Sequence, residues 1–319
     1  MRPDMREYIE PLPVQNDASF TKEIRRIQSD VVRFFLSARG FGDTITGLYA
    51  ACGLADAGHA VEFFTPRPEL LNVSHPGLTI IKGEEGFDAN TNYRVQLHES
   101  RDGGTRCDWY LKNIAQAYGI EQVKASRPKE IGKFKAPMGG DYVLLCPFSV
   151  SEARTWAAAH WRRLTLMLQK AGHTVVAIAA NKHRTQCEEL FYGLGVKQFI
   201  ETDTETMCGL IAHAKCVVSN DSGPAHIGGL YGKKTVAIIS TFRPDYLYEC
   251  AENLTAVTPD DGCRFCHETV EGGWDQFCLG QCSRLQLVSP ERVYAAIVGQ
   301  GEPDIKDIAK TVLLKRKRK

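Results

Sequence analysis

Residues 216–240 read CVVSNDSGPAHIGGLYGKKTVAIIS, and the rest of the chain can be interpreted outward from this stretch. Its two ends are apolar and β-branched, whereas its middle is dense in residues that end strands and begin helices. The pattern predicts a strand, a polar turn, a short helix and a second strand, which is half of a doubly wound parallel sheet. Ligands of such sheets lie beyond the carboxyl ends of the strands, so the turn is the expected binding position.

The polar turn combines residue types that suit an anion. Gly223 lets a ligand approach the backbone, and the start of the helix presents unpaired amides and the positive end of its dipole. His226 is close enough in sequence to donate a hydrogen bond to the same anion. Asp221 and Ser222 are also common helix-capping residues. A strand-to-helix turn that binds no ligand could therefore have the same sequence.

The sequence DSGPAH at residues 221–226, followed by small residues and by GKK before a second strand, resembles the signature of glycosyltransferase family 9, the heptosyltransferase-like enzymes. The resemblance covers roughly residues 31–298. It implies an α/β fold of the GT-B type, with two Rossmann-like lobes that face each other across a cleft. It also implies inverting transfer of a sugar, heptose or a related one, from a nucleotide-diphosphate sugar to an acceptor hydroxyl, with no catalytic metal. The expected nucleotide-sugar contacts are Gly40, Gly42, Ser149, Arg154, Asp221, Ser222, Gly223, Ala225 and His226.

A second strand-to-helix turn, RGFGDT at residues 39–44, follows the predicted strand 31–36. The third glycine of a dinucleotide fingerprint is missing and Asp43 would repel a phosphate, so a dinucleotide site is disfavoured. In the resembled family the Asp of such a turn is the general base, which implies that Asp43 is the catalytic residue here. Alternatively, Asp43 only caps the helix that follows.

The second lobe is predicted to begin with strand 142–146, and Arg154 follows two residues before Trp156. The resembled family has a basic residue there, usually Lys, that holds the donor diphosphate. Arg154 suits that role because its planar guanidinium is always charged and can bind a phosphate. Alternatively, Arg154 is a surface residue that stacks on Trp156. Residues 181–184, NKHR, stand where the family often has an acidic residue near the nucleoside, so the sequence leaves the donor nucleotide open.

Acceptor specificity in two-lobed transferases tends to lie in loops of the first lobe. This region of the chain has several cationic and aromatic residues, none of which belongs to a motif. They are Arg94, His98, Arg101, Arg106 and Trp109.

Four of the eleven cysteines form a C-x₂-C and a C-x₃-C pair separated by eleven residues. Two close pairs joined by a short loop are typical of tetrahedral thiolate sites, and four thiolates leave no open position for catalysis. The pattern predicts a structural zinc or iron, with unligated thiols as the alternative. The autotransporter heptosyltransferases look similar in carrying an iron-binding cysteine finger in this region. The expected ligands are Cys263, Cys266, Cys278 and Cys282.

The 319 residues suffice for two domains, and the composition, 43% hydrophobic and 24% charged, is that of a globular protein. No transmembrane run and no export signal are evident, so a cytoplasmic location is expected. The net charge of +1 disfavours broad nucleic-acid affinity. The tail KRKRK at 315–319 is an exception: it is either a frayed end or a patch that binds a polyanion or a membrane surface.

The chain is predicted to have four parts. They are a lead-in at 1–30, an acceptor-side lobe at 31–135, a nucleotide-sugar lobe at 141–300 that includes the finger 263–282, and a basic tail at 301–319.

Two other function classes remain open at the level of sequence. A nucleotide-sugar epimerase would share the two lobes but needs a second acid or base, and none is evident. A module that binds nucleic acid or protein through the finger and the tail would not need Asp43. The acceptor of a transferase is equally open: a lipopolysaccharide core, a protein or a modified nucleobase.

Overall fold

The computed structural model describes residues 26–38, 40–84, 86–88, 92–95, 104–260, 265 and 284–299. A first parallel sheet has the strand order β4-β2-β1-β5, and a short antiparallel pair, β3 and β6, lies apart from it. The bounds of these strands are β1 Val31–Leu36, β2 Ala60–Thr65, β3 Val73–Ser74, β4 Leu78–Lys82, β5 Tyr93–Val95 and β6 Glu130–Ile131.

A second parallel sheet has the order β12-β11-β10-β7-β8-β9. Apart from the edge strand β9, its strands are mostly buried and rich in Val, Ile and Leu, as expected for a sheet covered by helices on both faces. Their bounds are β7 Tyr142–Cys146, β8 Thr174–Ala179, β9 Lys197–Ile200, β10 Cys216–Asn220, β11 Thr235–Ile238 and β12 Leu254–Val257.

In the second lobe the helices alternate with the strands from β7 to β12, as the sequence predicts for an α/β protein. Helix α2 begins with a capping box formed by Thr105 and Asp108 and ends at Gly119, whose φ of 63° favours glycine. The helices are α1 Phe41–Asp56, α2 Arg106–Tyr118, α3 Ala158–Lys170, α4 Arg184–Phe191, α5 Thr204–His213, α6 Gly223–Leu230, α7 Pro244–Tyr248 and α8 Pro290–Val298.

The stretch 216–240 forms β10, α6 and β11 in the predicted order, with β10 and β11 parallel and Val217 paired with Thr235. The chain runs outward from β7 through β8 to β9, and then outward on the other side from β10 to β12. The direction therefore reverses between β7 and β10, and a crevice opens at such a switch point. The first sheet has the same feature between β1 and β5, beside the turn that ends at Asp43.

The two sheets are joined through helices that follow their switch points. Helix α1 of the first lobe packs against α6 of the second, and Leu48, Ile227 and Leu230 belong to one buried cluster. The turns at the starts of α1 and α6 are therefore brought to the same cleft. Among the described residues, no helix has the length and apolarity that crossing a membrane requires.

Candidate active site

The two glycine turns contact each other across the cleft. A Cβ placed on Gly42 would lie 2.7 Å from Nε2 of His226, and a Cβ on Gly223 would lie 2.7 Å from the ring of Phe41. Real Cβ atoms do not approach so closely, so each glycine makes room for a side chain of the opposite lobe. Neither glycine has a positive φ, which means that space and not backbone conformation requires it.

Asp43 is the third residue of α1, and the N-cap of this helix is Gly40. Oδ1 of Asp43 accepts a hydrogen bond from Nη1 of Arg106 at 2.8 Å. Oδ2 lies over Gly40, where an added Cβ would be 2.5 Å away. The carboxylate is thus paired with a cation of α2.

Arg106 begins α2 and is held between aromatic rings of the second lobe. Its guanidinium carbon lies 5.6 Å from the ring centre of Phe242 and 5.4 Å from that of Tyr246. Burial lowers the pKa of Arg106, but Asp43 and the phenols of Tyr110 and Tyr246 raise it overall, so the side chain stays charged. Arg106 therefore links the Asp43 carboxylate to the loop that follows β11.

Asp221 is buried at the end of β10 and is contacted from three sides. Its Oδ2 lies 3.6 Å from Nη1 of Arg154, and its Oδ1 accepts a hydrogen bond from the Tyr248 hydroxyl at 3.2 Å. The Ser149 hydroxyl donates to the Asp221 carbonyl at 3.2 Å. Because the Arg154 side chain is 24% exposed whereas that of Asp221 is 4% exposed, the guanidinium is partly open to a ligand while one edge is held by the carboxylate.

His226 lies in the interior near both arginines. Its ring packs on that of Tyr248, with the ring centres 4.4 Å apart. Burial lowers the pKa of His226 to about 3, and the charges of Arg106 and Arg154 add to the shift. His226 is therefore neutral at neutral pH and has one ring N–H to donate, while the arginines supply the positive charge.

A mainly apolar cavity of about 290 Å³ adjoins these residues. Its walls include Phe41 from the first lobe, together with Ser149 and Ser222 from the second. At its side, His183 stacks on Phe148 with ring centres 4.7 Å apart and ring planes 6° apart. The volume and the flat aromatic walls suit a nucleobase-sized group, and the anion-binding turn lies at the same cavity.

The sequence profile of glycosyltransferase family 9 (heptosyltransferase) matches residues 97–272, more than half of the chain. The chain belongs to glycosyltransferase family 9. It is 27% identical over 128 residues to lipooligosaccharide heptosyltransferase 2 of Campylobacter jejuni, an alignment that covers 37% of this chain and 39% of that protein. The chain spans less than half the length of the curated relatives that it matches.

Solved structures with the same fold superpose on most of the chain. The iron-containing dodecameric glycosyltransferase TibC from enterotoxigenic Escherichia coli superposes with a TM-score of 0.62 at 15% identity, over 86% of this chain and 77% of that one. The E. coli heptosyltransferase WaaC with ADP superposes with a TM-score of 0.58 at 13% identity, over 85% of this chain and 100% of that one. These similarities confirm the predicted GT-B fold.

Two predicted contacts of the motif, Ser222 and Ala225, have different surroundings. The Ser222 hydroxyl lies 3.0 Å from that of Ser219, and Ser222 makes no side-chain cap bond to α6. The first amides of α6 are thus not taken by this hydroxyl. Ala225 is fully buried against the second sheet, so its Cβ serves packing and only its backbone lies near the turn.

The first-lobe candidates separate into two groups. Arg106 reaches Asp43, whereas Arg94 is ion-paired with Glu84 at 3.0 Å and lies over the ring of Phe35. Arg94 is therefore engaged elsewhere on the first sheet. Other candidates lie outside the described residues: His98, Arg101 and the four finger cysteines, Cys263, Cys266, Cys278 and Cys282.

Sequence reasoning missed Tyr248, which contacts both Asp221 and His226. A signal was present, because Tyr248 belongs to the segment after β11, and the carboxyl ends of β10 and β11 share one edge of the sheet. The stacked pair of Phe148 and His183 was missed for a different reason. Its members follow separate strands, β7 and β8, and no motif joins them.

The depressed pKa of His226 predicts a pH-dependent stability. In the unfolded chain the pKa of histidine is about 6.5, so between about pH 3 and pH 6.5 the unfolded state binds a proton that the folded state does not. The free energy of unfolding therefore rises with pH in this window and falls on acidification, by up to about 1.4 kcal/mol per pH unit.

We expect His226→Gln to remove this contribution. Chemical denaturation at pH 7.5 and pH 5 should show a stability loss on acidification that is about 2 kcal/mol smaller in the variant than in the wild type. His213→Gln, at an exposed histidine, is the control and should keep the wild-type loss. An unchanged loss in His226→Gln would contradict a buried neutral His226.

Proposed function

We propose that this family 9 chain is an inverting glycosyltransferase that moves heptose, or a related sugar, from a nucleotide-diphosphate sugar to an acceptor hydroxyl. The observation that carries the proposal is the direct contact between the two motif turns, which brings Asp43 of the first lobe and the cationic turn of the second lobe to one cleft. A carboxylate facing a phosphate-binding turn is the arrangement that a base and a leaving group need.

In the proposed reaction, Asp43 accepts the proton of the acceptor hydroxyl while that oxygen attacks the anomeric carbon. The bond between the anomeric carbon and the diphosphate breaks, and its electron pair goes to the phosphate oxygen. Attack on the face opposite the leaving group inverts the anomeric centre. The bond from Arg106 to Oδ1 fixes the orientation of the carboxylate for this proton transfer.

The leaving diphosphate is stabilised by groups of the second lobe. The Arg154 guanidinium supplies positive charge, and neutral His226 donates one N–H. The start of α6 contributes its backbone amides and the positive end of its dipole. The helix start contributes on the order of 0.3–2 kcal/mol, so the side chains supply much of the remainder. The proposed transfer is independent of a metal ion.

The apolar cavity is the proposed nucleoside subsite. Its wall beside Phe148 and His183 suits a stacked base, and a structurally similar protein, the heptosyltransferase WaaC, was solved with ADP. We therefore favour an ADP-sugar as donor. The acceptor stays open among a lipooligosaccharide or lipopolysaccharide core, a protein and a modified nucleobase, and the names of the curated relatives favour the first.

Several sequence predictions extend this proposal beyond the described residues. The finger formed by Cys263, Cys266, Cys278 and Cys282 is proposed to hold a structural zinc or iron. The similarity of the fold to that of the iron-containing TibC favours iron. The lobe boundaries at 31–135 and 141–300, the polyanion contact of the basic tail and a cytoplasmic location likewise remain proposals.

Mass spectrometry of the intact protein mixed with ADP-, GDP- and UDP-sugars tests the proposed function. We expect a retained nucleotide, and slow release of nucleoside diphosphate by hydrolysis, for ADP-sugars above all. Failure of every nucleotide-sugar to bind or react would overturn the proposal. Conversion of the donor to an isomeric nucleotide-sugar, with no transfer or hydrolysis, would instead favour an epimerase.

A further inference from the structure

Cys107, Glu249 and Cys250 form a cluster on the seam between the lobes. The two Sγ atoms and a carboxylate oxygen of Glu249 all lie within 4.8 Å of one another. Cys107 is the second residue of α2, on the first lobe, whereas Glu249 and Cys250 follow α7 on the second. The cluster is separate in sequence from the predicted finger at 263–282 and from the turns that form the cleft.

The residues around the cluster hold its donor atoms in place. The Thr105 hydroxyl donates to Oε2 of Glu249 at 2.5 Å and accepts from the backbone N–H of Asp108 at 3.0 Å. The carbonyl of Cys250 accepts from Nη1 of Arg127 at 3.0 Å, which fixes the loop after α7. Hydrogen bonds of this kind orient metal ligands in known sites, and the carboxylate has a second oxygen to offer.

A buried polar group next to the cluster lacks a partner among the described residues. The hydroxyl of Tyr49 is inaccessible and makes no hydrogen bond there. Tyr49 and Cys107 belong to one buried cluster, and Cys250 packs against it. Burial raises the pKa of Tyr49 most, Arg127 opposes the shift, and the thiols of Cys250 and Cys107 add to it. A buried phenol beside two thiols and a carboxylate is a polar site inside an otherwise apolar seam.

We propose that Cys107, Cys250 and Glu249 bind one divalent cation of the zinc type, which ties the start of α2 to the second lobe. Two thiolates and a carboxylate are a donor set that zinc accepts, at about 2.3 Å for sulfur and about 2.0–2.2 Å for oxygen, with a fourth position left for water.

The cation would act on the neighbouring reaction residues without touching them. Arg106 lies between Thr105 and Cys107 and donates to Asp43, and the Cys107 sulfur lies 3.9 Å from the carbonyl of Thr46 in α1. A bound ion would therefore fix the backbone that carries Arg106. This site does not depend on the proposed transfer reaction, since it is defined by binding alone.

Zinc and cobalt binding to the full-length, reduced, chelator-treated protein tests the proposal. We expect the Cys107→Ser and Glu249→Gln variants each to bind one equivalent of zinc fewer than the wild type and to lose part of the thiolate-to-cobalt absorption. The Cys187→Ser variant, which alters another buried cysteine, should behave as the wild type. In the Cys278→Ser variant, which removes only a finger ligand, the equivalent assigned to Cys107 should remain.

Added zinc should also raise the melting temperature of Cys278→Ser but not that of a Cys107→Ser, Cys278→Ser double variant. Because Glu249 is exposed, its variant keeps the test decisive if Cys107→Ser fails to fold. Equal zinc content in the wild type, Cys107→Ser and Glu249→Gln would overturn the site.

Discussion

Replacement of Asp43 by asparagine is expected to reduce sugar transfer on the order of 10²- to 10⁴-fold, with donor affinity unchanged. Asn keeps the shape of Asp and can still accept a hydrogen bond from Arg106, but it cannot take the proton of the acceptor hydroxyl. Asn also caps helices as well as Asp does, so a role limited to helix capping predicts no loss. Donor turnover and calorimetric binding of the nucleoside diphosphate, measured on the same preparation, provide the two readouts.

Gly40→Ala offers a matched control for the position of the carboxylate. The added Cβ would lie 2.5 Å from Oδ2 of Asp43, so the carboxylate must move while its chemistry is kept. We expect a smaller loss of transfer than in Asp43→Asn. Near wild-type turnover in Asp43→Asn would show that another group is the base.

The sequence located the two turns correctly because both are local features. Strand 31–36 and the stretch 216–240 carry a clear alternation of apolar, turn and helix-cap residues, and the structure has β1, β10, α6 and β11 where this pattern predicts them. The full role of the two glycines could not be predicted. The sequence predicts Gly223 as backbone that lets a ligand approach and Gly42 as a nucleotide-sugar contact, yet each also clears space for a side chain of the other lobe.

Contacts between elements far apart in the sequence could not be predicted, because they depend on how helices and sheets pack together. Arg106 has no motif around it, and its role beside Asp43 arises only when α2 packs next to α1. Cys107 and Cys250 likewise look like scattered core thiols in the sequence. They come together only where the two lobes meet, and the sequence pattern of one lobe does not predict its contacts with the other.

Replacement of Arg154 by alanine is expected to lower kcat/KM on the order of 10²- to 10³-fold. The guanidinium is a partly open cation at the turn where the diphosphate is proposed to lie, and removing one group that stabilises developing negative charge has effects of this size. The loss of binding should appear for the nucleoside diphosphate but not for the bare nucleoside, in calorimetric titrations of both. An equal loss for the two ligands would contradict a phosphate role.

The same substitution has a second effect, which must be separated from the first. Asp221 is buried, and without Arg154 its Oδ2 has lost its counter-ion, which should destabilise the fold by about 1–3 kcal/mol. The double variant Arg154→Ala, Asp221→Asn removes the unpaired charge and should regain most of this stability, since the Tyr248 hydroxyl can still donate to the amide oxygen. If Arg154 acts on the diphosphate, the double variant stays deficient in diphosphate binding although it is stable. If Arg154 only neutralises Asp221, the double variant recovers both stability and affinity, and the phosphate role is lost.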